Sequence, residues 1–113
     1  MHKLMLLFEP AVDMNTFQDN WQKFLALAER IPGLRCETVS RVGQMVYAKP
    51  GSTYILVHEL LFDSKEALEA AMQSPEGQTA GQFLQAFTSG KVVLLTAEHL
   101  EANTSDSKLK HAV

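Results

Sequence analysis

The chain has 113 residues, enough for one domain with a core of its own. Hydrophobic residues make up 46%, charged residues 20%, and the net charge is -3, a balance that gives no electrostatic ground for holding DNA, RNA or an acidic membrane. No apolar run approaches the length of a bilayer span, and the single cysteine, Cys36, excludes an internal disulfide and fits a reducing cytoplasm.

The first element is a strand over residues 2 to 8, HKLMLLF. Its apolar patch is too short for a signal peptide, and Glu9-Pro10 closes it without a cleavage site. Asn15, with Gln18 three residues on, has the form of a capping box and predicts the start of a helix. Phe17, Trp21, Phe24, Ala28 and Ile31 then recur at steps of four and three until Pro32-Gly33 stops them. A second strand is expected from about Leu34 to Tyr47, with Arg35, Glu37, Val39 and Arg41 on one face and Cys36, Thr38 and Ser40 on the other. Lys49-Pro50-Gly51-Ser52 has the order of a type II turn, so the second and third strands should form a hairpin.

The third strand opens at Tyr54 and carries apolar residues on both parities through Leu60-Leu61-Phe62, which predicts cover on both faces. Asp63 and Glu66 suggest a capping box for a helix bearing Ala67, Leu68, Ala71 and Met72. Ser74-Pro75-Glu76 is a second start signal, and a further helix carries Ala80, Phe83, Leu84 and Phe87 on one side. A fourth strand runs from Lys91 to about Glu101. One domain over residues 1–102 and a loose polar tail over 103–113 complete the expected organisation.

The order β-α-β-β-α-β is that of an α+β, ferredoxin-like domain with a four-stranded antiparallel sheet. Its helices can cover one face of the sheet. The other face carries Leu, Val, Ile and Met, a larger apolar patch than soluble monomers expose. Packing two copies through their sheets removes that exposure, so a homodimer is expected.

Polar residues within the apolar third strand are the first candidates for chemistry. A carboxylate at Glu59 is costly to bury unless paired or protonated, and desolvation would raise its pKa toward general acid or base work. Its structural alternative is an ion pair with Arg35 or Arg41 on the neighbouring strand. His58 must point the opposite way, so one of the two faces the helices and the other the space between sheets. Catalysis by His58 would call for the latter side, whereas a structural histidine belongs near the helices. His99 is a second possible proton carrier near a strand end. Trp21, Phe24, Tyr47 and Tyr54 are candidate walls of an apolar pocket, with an ordinary core stripe as the simpler account of Trp21 and Phe24. Ligand spacings for a metal, a phosphate-binding glycine loop and a serine-hydrolase elbow are all missing. A lone histidine still leaves axial haem ligation open.

Glu59-Leu60-Leu61-Phe62-Asp63-Ser64, then Glu66-Ala67 and Ser74-Pro75-Glu76-Gly77, resemble the signature region of the EthD family, named for ethyl tert-butyl ether degradation. Ile31-Pro32-Gly33-Leu34-Arg35 with Arg41-Val42 is similar to its first half, and the likeness runs over roughly residues 2 to 102. The resemblance implies a dimeric α/β barrel with a small-molecule pocket in each subunit. It also implies chemistry of the cofactor-independent oxidoreductase or monooxygenase kind, or an isomerase reaction, in the breakdown of organic compounds. Glu59, His58 and Arg41 would then manage protons and an oxyanion, and an apolar or aromatic ligand would lie against Trp21, Phe24, Tyr47, Tyr54 and His99. One departure counts against catalysis: many members carry a histidine on the first helix, and Trp21-Gln22-Lys23-Phe24-Leu25-Ala26-Leu27-Ala28 has none. The alternative reading is a non-catalytic accessory or ligand-binding module.

Overall fold

The computed structural model describes residues 1–102; the tail expected over 103–113 lies outside the described residues. The elements are β1 (His2–Phe8), α1 (Met14–Ala28), β2 (Cys36–Arg41), β3 (Leu56–Phe62), α2 (Lys65–Gln73), α3 (Pro75–Thr88) and β4 (Val92–Glu98). The four strands form one antiparallel sheet in the order β2-β3-β1-β4, so the ferredoxin-like α+β plan stands, with its second helical segment divided into α2 and α3.

Strand alternation sorts the sheet into two faces. Leu6, Phe8, Leu56, His58, Leu60 and Phe62 are buried on one face, where they join Phe17, Trp21, Phe24 and Ala28 of α1 and Leu68, Ala71, Ala80 and Leu84 of α2 and α3. Phe87 ties this layer together, its ring 5.3–6.3 Å from those of Phe8, Phe17, Phe24 and Phe83. Each such pair adds roughly 0.5–1.5 kcal/mol beyond the area it buries. On the other face, Met5, Leu7 and Val57 are half-buried, while Val93 and Leu95 are exposed.

Helix starts follow capping oxygens, and two of them differ from expectation; α1 also ends earlier than expected, at Ala28, ahead of Ile31 and the Pro32-Gly33 stop. Asp13, not Asn15, starts α1, accepting from the amides of Asn15 and Thr16 at 3.0 and 3.2 Å. Ser64, not Asp63, starts α2 by accepting from Ala67 at 3.1 Å. In both cases the neighbouring residue offers a similar oxygen, and the point where the backbone leaves extended geometry decides between them. Ser74 works twice: it ends α2 and accepts from the Gly77 amide to begin α3, with Pro75 at the first helical position. Gly77 is obligatory here, because a Cβ on it would lie 2.0 Å from the Ala71 carbonyl oxygen.

The paired part of the β2–β3 hairpin is shorter than the sequence suggests, since β2 ends at Arg41 rather than near Tyr47 and β3 begins at Leu56 rather than Tyr54. Gly51 takes φ 86 and Ser52 donates to the Lys49 carbonyl at 3.1 Å, as a type II turn requires. The ladder does not continue to that turn, however. It ends where Val42 donates to Ile55, and residues 43–54 form a projecting arm on which Tyr47 is 96% exposed.

Candidate functional site

Two neighbouring residues of β3 carry the polar groups of interest, one on each face of the sheet. His58 is wholly buried and points into the helix layer. That is the side expected of a structural histidine and not the space between sheets expected for catalysis, so any chemistry at it would have to be reached from the helix side. Leu6 of β1 and Val39 of β2 lie opposite it in the ladders. Trp21 and Phe24, one turn apart on α1, present their rings edge-on to the imidazole at 6.0 and 5.8 Å between centroids. Glu37 of β2 shares this face and brings Oε1 within 2.9 Å of His58 Nε2.

That contact fixes the histidine's chemistry. A carboxylate only accepts, so neutral His58 donates its Nε2–H to Glu37 and leaves Nδ1 as a bare lone pair. Nδ1 has no hydrogen-bond partner among the described residues, and neither does the buried Trp21 Nε1–H. Leaving such a group unpaired costs about 1–3 kcal/mol, so one buried acceptor and one buried donor beside the same aromatic cluster call for explanation. Burial is the larger influence on the imidazole and pushes its pKa below the ordinary 6.5, while the hydrogen bond and charge of Glu37 work in the opposite direction. Burial thus favours the neutral ring, and Glu37 fixes its orientation.

Glu59 faces the other way and is fully engaged. Lys3 Nζ donates to Oε1 at 2.8 Å and Thr38 Oγ1 to Oε2 at 2.7 Å. These bonds, that of Lys3 first, hold the carboxyl below its ordinary 4.5 against the opposing effect of burial. Two expectations are corrected here. The partner of Glu59 is Lys3 rather than Arg35 or Arg41, because β1 is the neighbour that presents a cation on this face. The pKa moves down rather than up, because two donors outweigh partial desolvation.

The remaining candidates divide between these places. Arg41, on the helix-facing side of β2, sets its guanidinium carbon 5.7 Å from the centre of the Trp21 ring, a cation–π contact at the edge of the His58 cluster. Arg35 instead lies 3.4 Å from Asp63, with both side chains well exposed. Tyr54 is half-buried just before β3, and Tyr47 stands in solvent on the arm. His99 follows β4 and meets Glu101 at 2.6 Å. The structure thus assembles Trp21, Phe24, His58 and Arg41, and leaves Tyr47 and His99 apart from them. Glu37 is the residue that sequence reasoning did not single out. Its parity already placed it on the face of Val39 and Arg41, but its reach to His58 depends on strand register.

Beside this cluster lies a cavity of about 290 Å³ between the sheet and the helices. Leu6, Leu60 and Phe62 form its sheet side, Phe24 bounds it from α1, and the exposed side chains of Gln78, Gln82 and Gln85 stand along α3 at its rim. Among the described residues, no Asp, Glu, Lys, Arg or His lines it. His58 lies just outside, with Phe24 and Leu6 touching both cavity and imidazole surroundings.

The sequence pattern of the EthD domain matches residues 9–86. The chain belongs to the EthD family. It is 28% identical over 96 residues to an uncharacterised 11.0 kDa protein from the thcB-thcC intergenic region of Rhodococcus erythropolis, covering 84% of this chain and 91% of that one. Among solved structures, an EthD family protein from Bacillus halodurans superimposes with a TM-score of 0.80 at 29% identity, over 88% of this chain and 99% of the other. A dimeric ferredoxin-like protein of unknown function from a Jannaschia species gives 0.62 at 20% identity, over 87% and 98% of the two chains. SnoaB, a cofactor-independent oxygenase from Streptomyces nogalater, gives 0.64 at 14% identity, over 91% and 96%. The last two likenesses concern the fold. EthD membership agrees with the signature residues from Glu59 to Gly77, whose structural reasons are the strand-to-helix junction at Ser64 and the double cap at Ser74.

Proposed function

We propose that this EthD-family protein is a homodimer that admits a small, largely apolar molecule into the cavity of each protomer and oxidises it without a cofactor, with His58 as the base. The observation that carries the reading is the His58–Glu37 pair: a buried imidazole, its tautomer set by a carboxylate, with Nδ1 unpartnered among the described residues and with Phe24 and Leu6 between the ring and an apolar cavity. In the reaction, Nδ1 takes a proton from an activated C–H of the substrate, and the carbanion passes its electrons to dioxygen. One oxygen atom remains as a new carbonyl, and the other leaves with the two substrate hydrogens as water. The Trp21 indole N–H is free to donate to the developing oxyanion. Phe24 turns aside in this scheme to let substrate reach the imidazole. The apolar outer face of the sheet, with Val93 and Leu95 exposed on it, supports pairing of two copies, as does the dimeric state of solved ferredoxin-like neighbours.

One observation favours a second reading, a binding module without chemistry: Phe24 and Leu6 stand between the cavity and His58. Oxygen uptake with a panel of neutral naphthols and cyclic ketones decides between them. Uptake by the wild type that His58→Gln loses, in a protein that sediments as a dimer, is the result expected. Binding with no uptake leaves the binding module as the better account, and uptake that survives His58→Gln removes His58 as the base.

A further inference from the structure

Helix α3 contains two glycines, and only one is explained by the protein's own packing. Gly77 has no room for a side chain. Gly81 does: a Cβ built there meets nothing within 4 Å among the described residues, and its φ is not in the left-handed region. Glycine inside a helix is less favourable than alanine, through the backbone entropy it loses. A mid-helix glycine with open space beside it is therefore a local cost with no structural return in the isolated chain. Gly81 is also part of the cavity wall, between Gln78 and Gln85 on the same side of α3.

We infer that Gly81 is a ligand-contact position, where a flat, uncharged, two-ring-sized molecule lies against the bare backbone of α3 with its polar group turned to the glutamine rim. The inference rests on reading the cavity as a small-molecule site; it does not depend on chemistry at His58. Size comes from volume, since a dry cavity of about 150 Å³ accepts benzene and this one measures about 290 Å³. Charge is disfavoured by the lining, since no described residue on the wall, the glutamine rim included, supplies a countercharge to an ionised group drawn in from water. The glutamines offer amide donors and acceptors, which suit a hydroxyl or carbonyl group at one edge of the ligand. The helix spacing of Gln78, Gln82 and Gln85 puts all three on the stripe that flanks Gly81.

The test measures binding of naphthol and of the naphthoate anion to the full chain by calorimetry, with Gly81→Ala and Gly81→Leu as variants and sedimentation as a control. Wild type should bind naphthol at least about tenfold more tightly than naphthoate. Gly81→Ala should melt about 4 °C higher and yet bind naphthol about tenfold more weakly, and Gly81→Leu should not bind it. Equal naphthol affinity in wild type and Gly81→Ala overturns the inference while leaving the small-molecule reading in place. No binding of naphthol by the wild type overturns both. Loss of the dimer in Gly81→Ala also overturns the inference, because Gly81 would then serve contact between subunits.

Discussion

Two adjacent residues of β3 meet opposite faces of the sheet, and each brings a titratable group into dry or half-dry surroundings. Glu59 has found both its partners, Lys3 and Thr38, and burial has not raised its pKa. Among the described residues His58 has one partner, and its second nitrogen is bare. Burial alone therefore does not mark a site; unspent hydrogen-bonding capacity does. A satisfied ion pair on the outer face is suited to fixing how that face is presented. A base held in one tautomer beside a cavity is suited to moving a proton.

The largest effect that would sharpen this contrast is on turnover. His58→Gln should lower oxygen uptake by roughly 100-fold or more, while Glu59→Gln should leave it within about twofold at unchanged dimer content; the reverse pattern breaks the comparison. Next comes Glu37→Gln, with a loss of roughly 10–100-fold. Glu37 raises the pKa of His58, so its removal should move the acid limb of the pH–rate profile to lower pH. An unmoved limb would mean that the carboxylate does not set the state of the imidazole.

The smaller effects are on stability. Glu59→Gln should cost roughly 1–2 kcal/mol in urea unfolding near neutral pH. The sign with pH follows from its lowered pKa: the contribution is present above the ordinary 4.5 and fades as pH falls through the lower folded value, so wild type and variant should converge in acid. His58 shifts the same way around 6.5, and its stabilising share declines as pH drops below that value, a slope that His58→Gln should remove. Smallest is Thr38→Val, at about 0.5–1 kcal/mol, since Lys3 still holds the carboxylate.

Most of the fold was legible because its signals are local. The stripe from Phe17 to Ala28, the Pro50-Gly51 turn and the Ser74-Pro75 start each depend on residues within a few positions of one another. Alternation also told correctly that His58 and Glu59 face opposite sides. Partners were harder to read, because they depend on register. A ladder grown straight from the Lys49–Ser52 turn would set Val39 opposite Phe62, whereas the strands pair Val39 with His58 after the arm over 43–54 takes up the difference. Glu37 comes within reach of the imidazole only in the observed register. Lys3 escaped notice for a related reason: a lysine in the first strand becomes the partner of Glu59 only once β1 is known to lie between β3 and β4. The cavity depends on how three helices seat on one sheet face, and no short stretch of sequence encodes that.

The claim on which the functional account turns is that His58 holds its proton on Nε2 and keeps Nδ1 as a free base. Nitrogen NMR of the labelled imidazole at neutral pH reads this directly. The account predicts a neutral ring with Nε2 protonated and Nδ1 bare, and a change in the Nδ1 resonance when naphthol is added. A ring protonated on Nδ1, or charged at neutral pH, would contradict it.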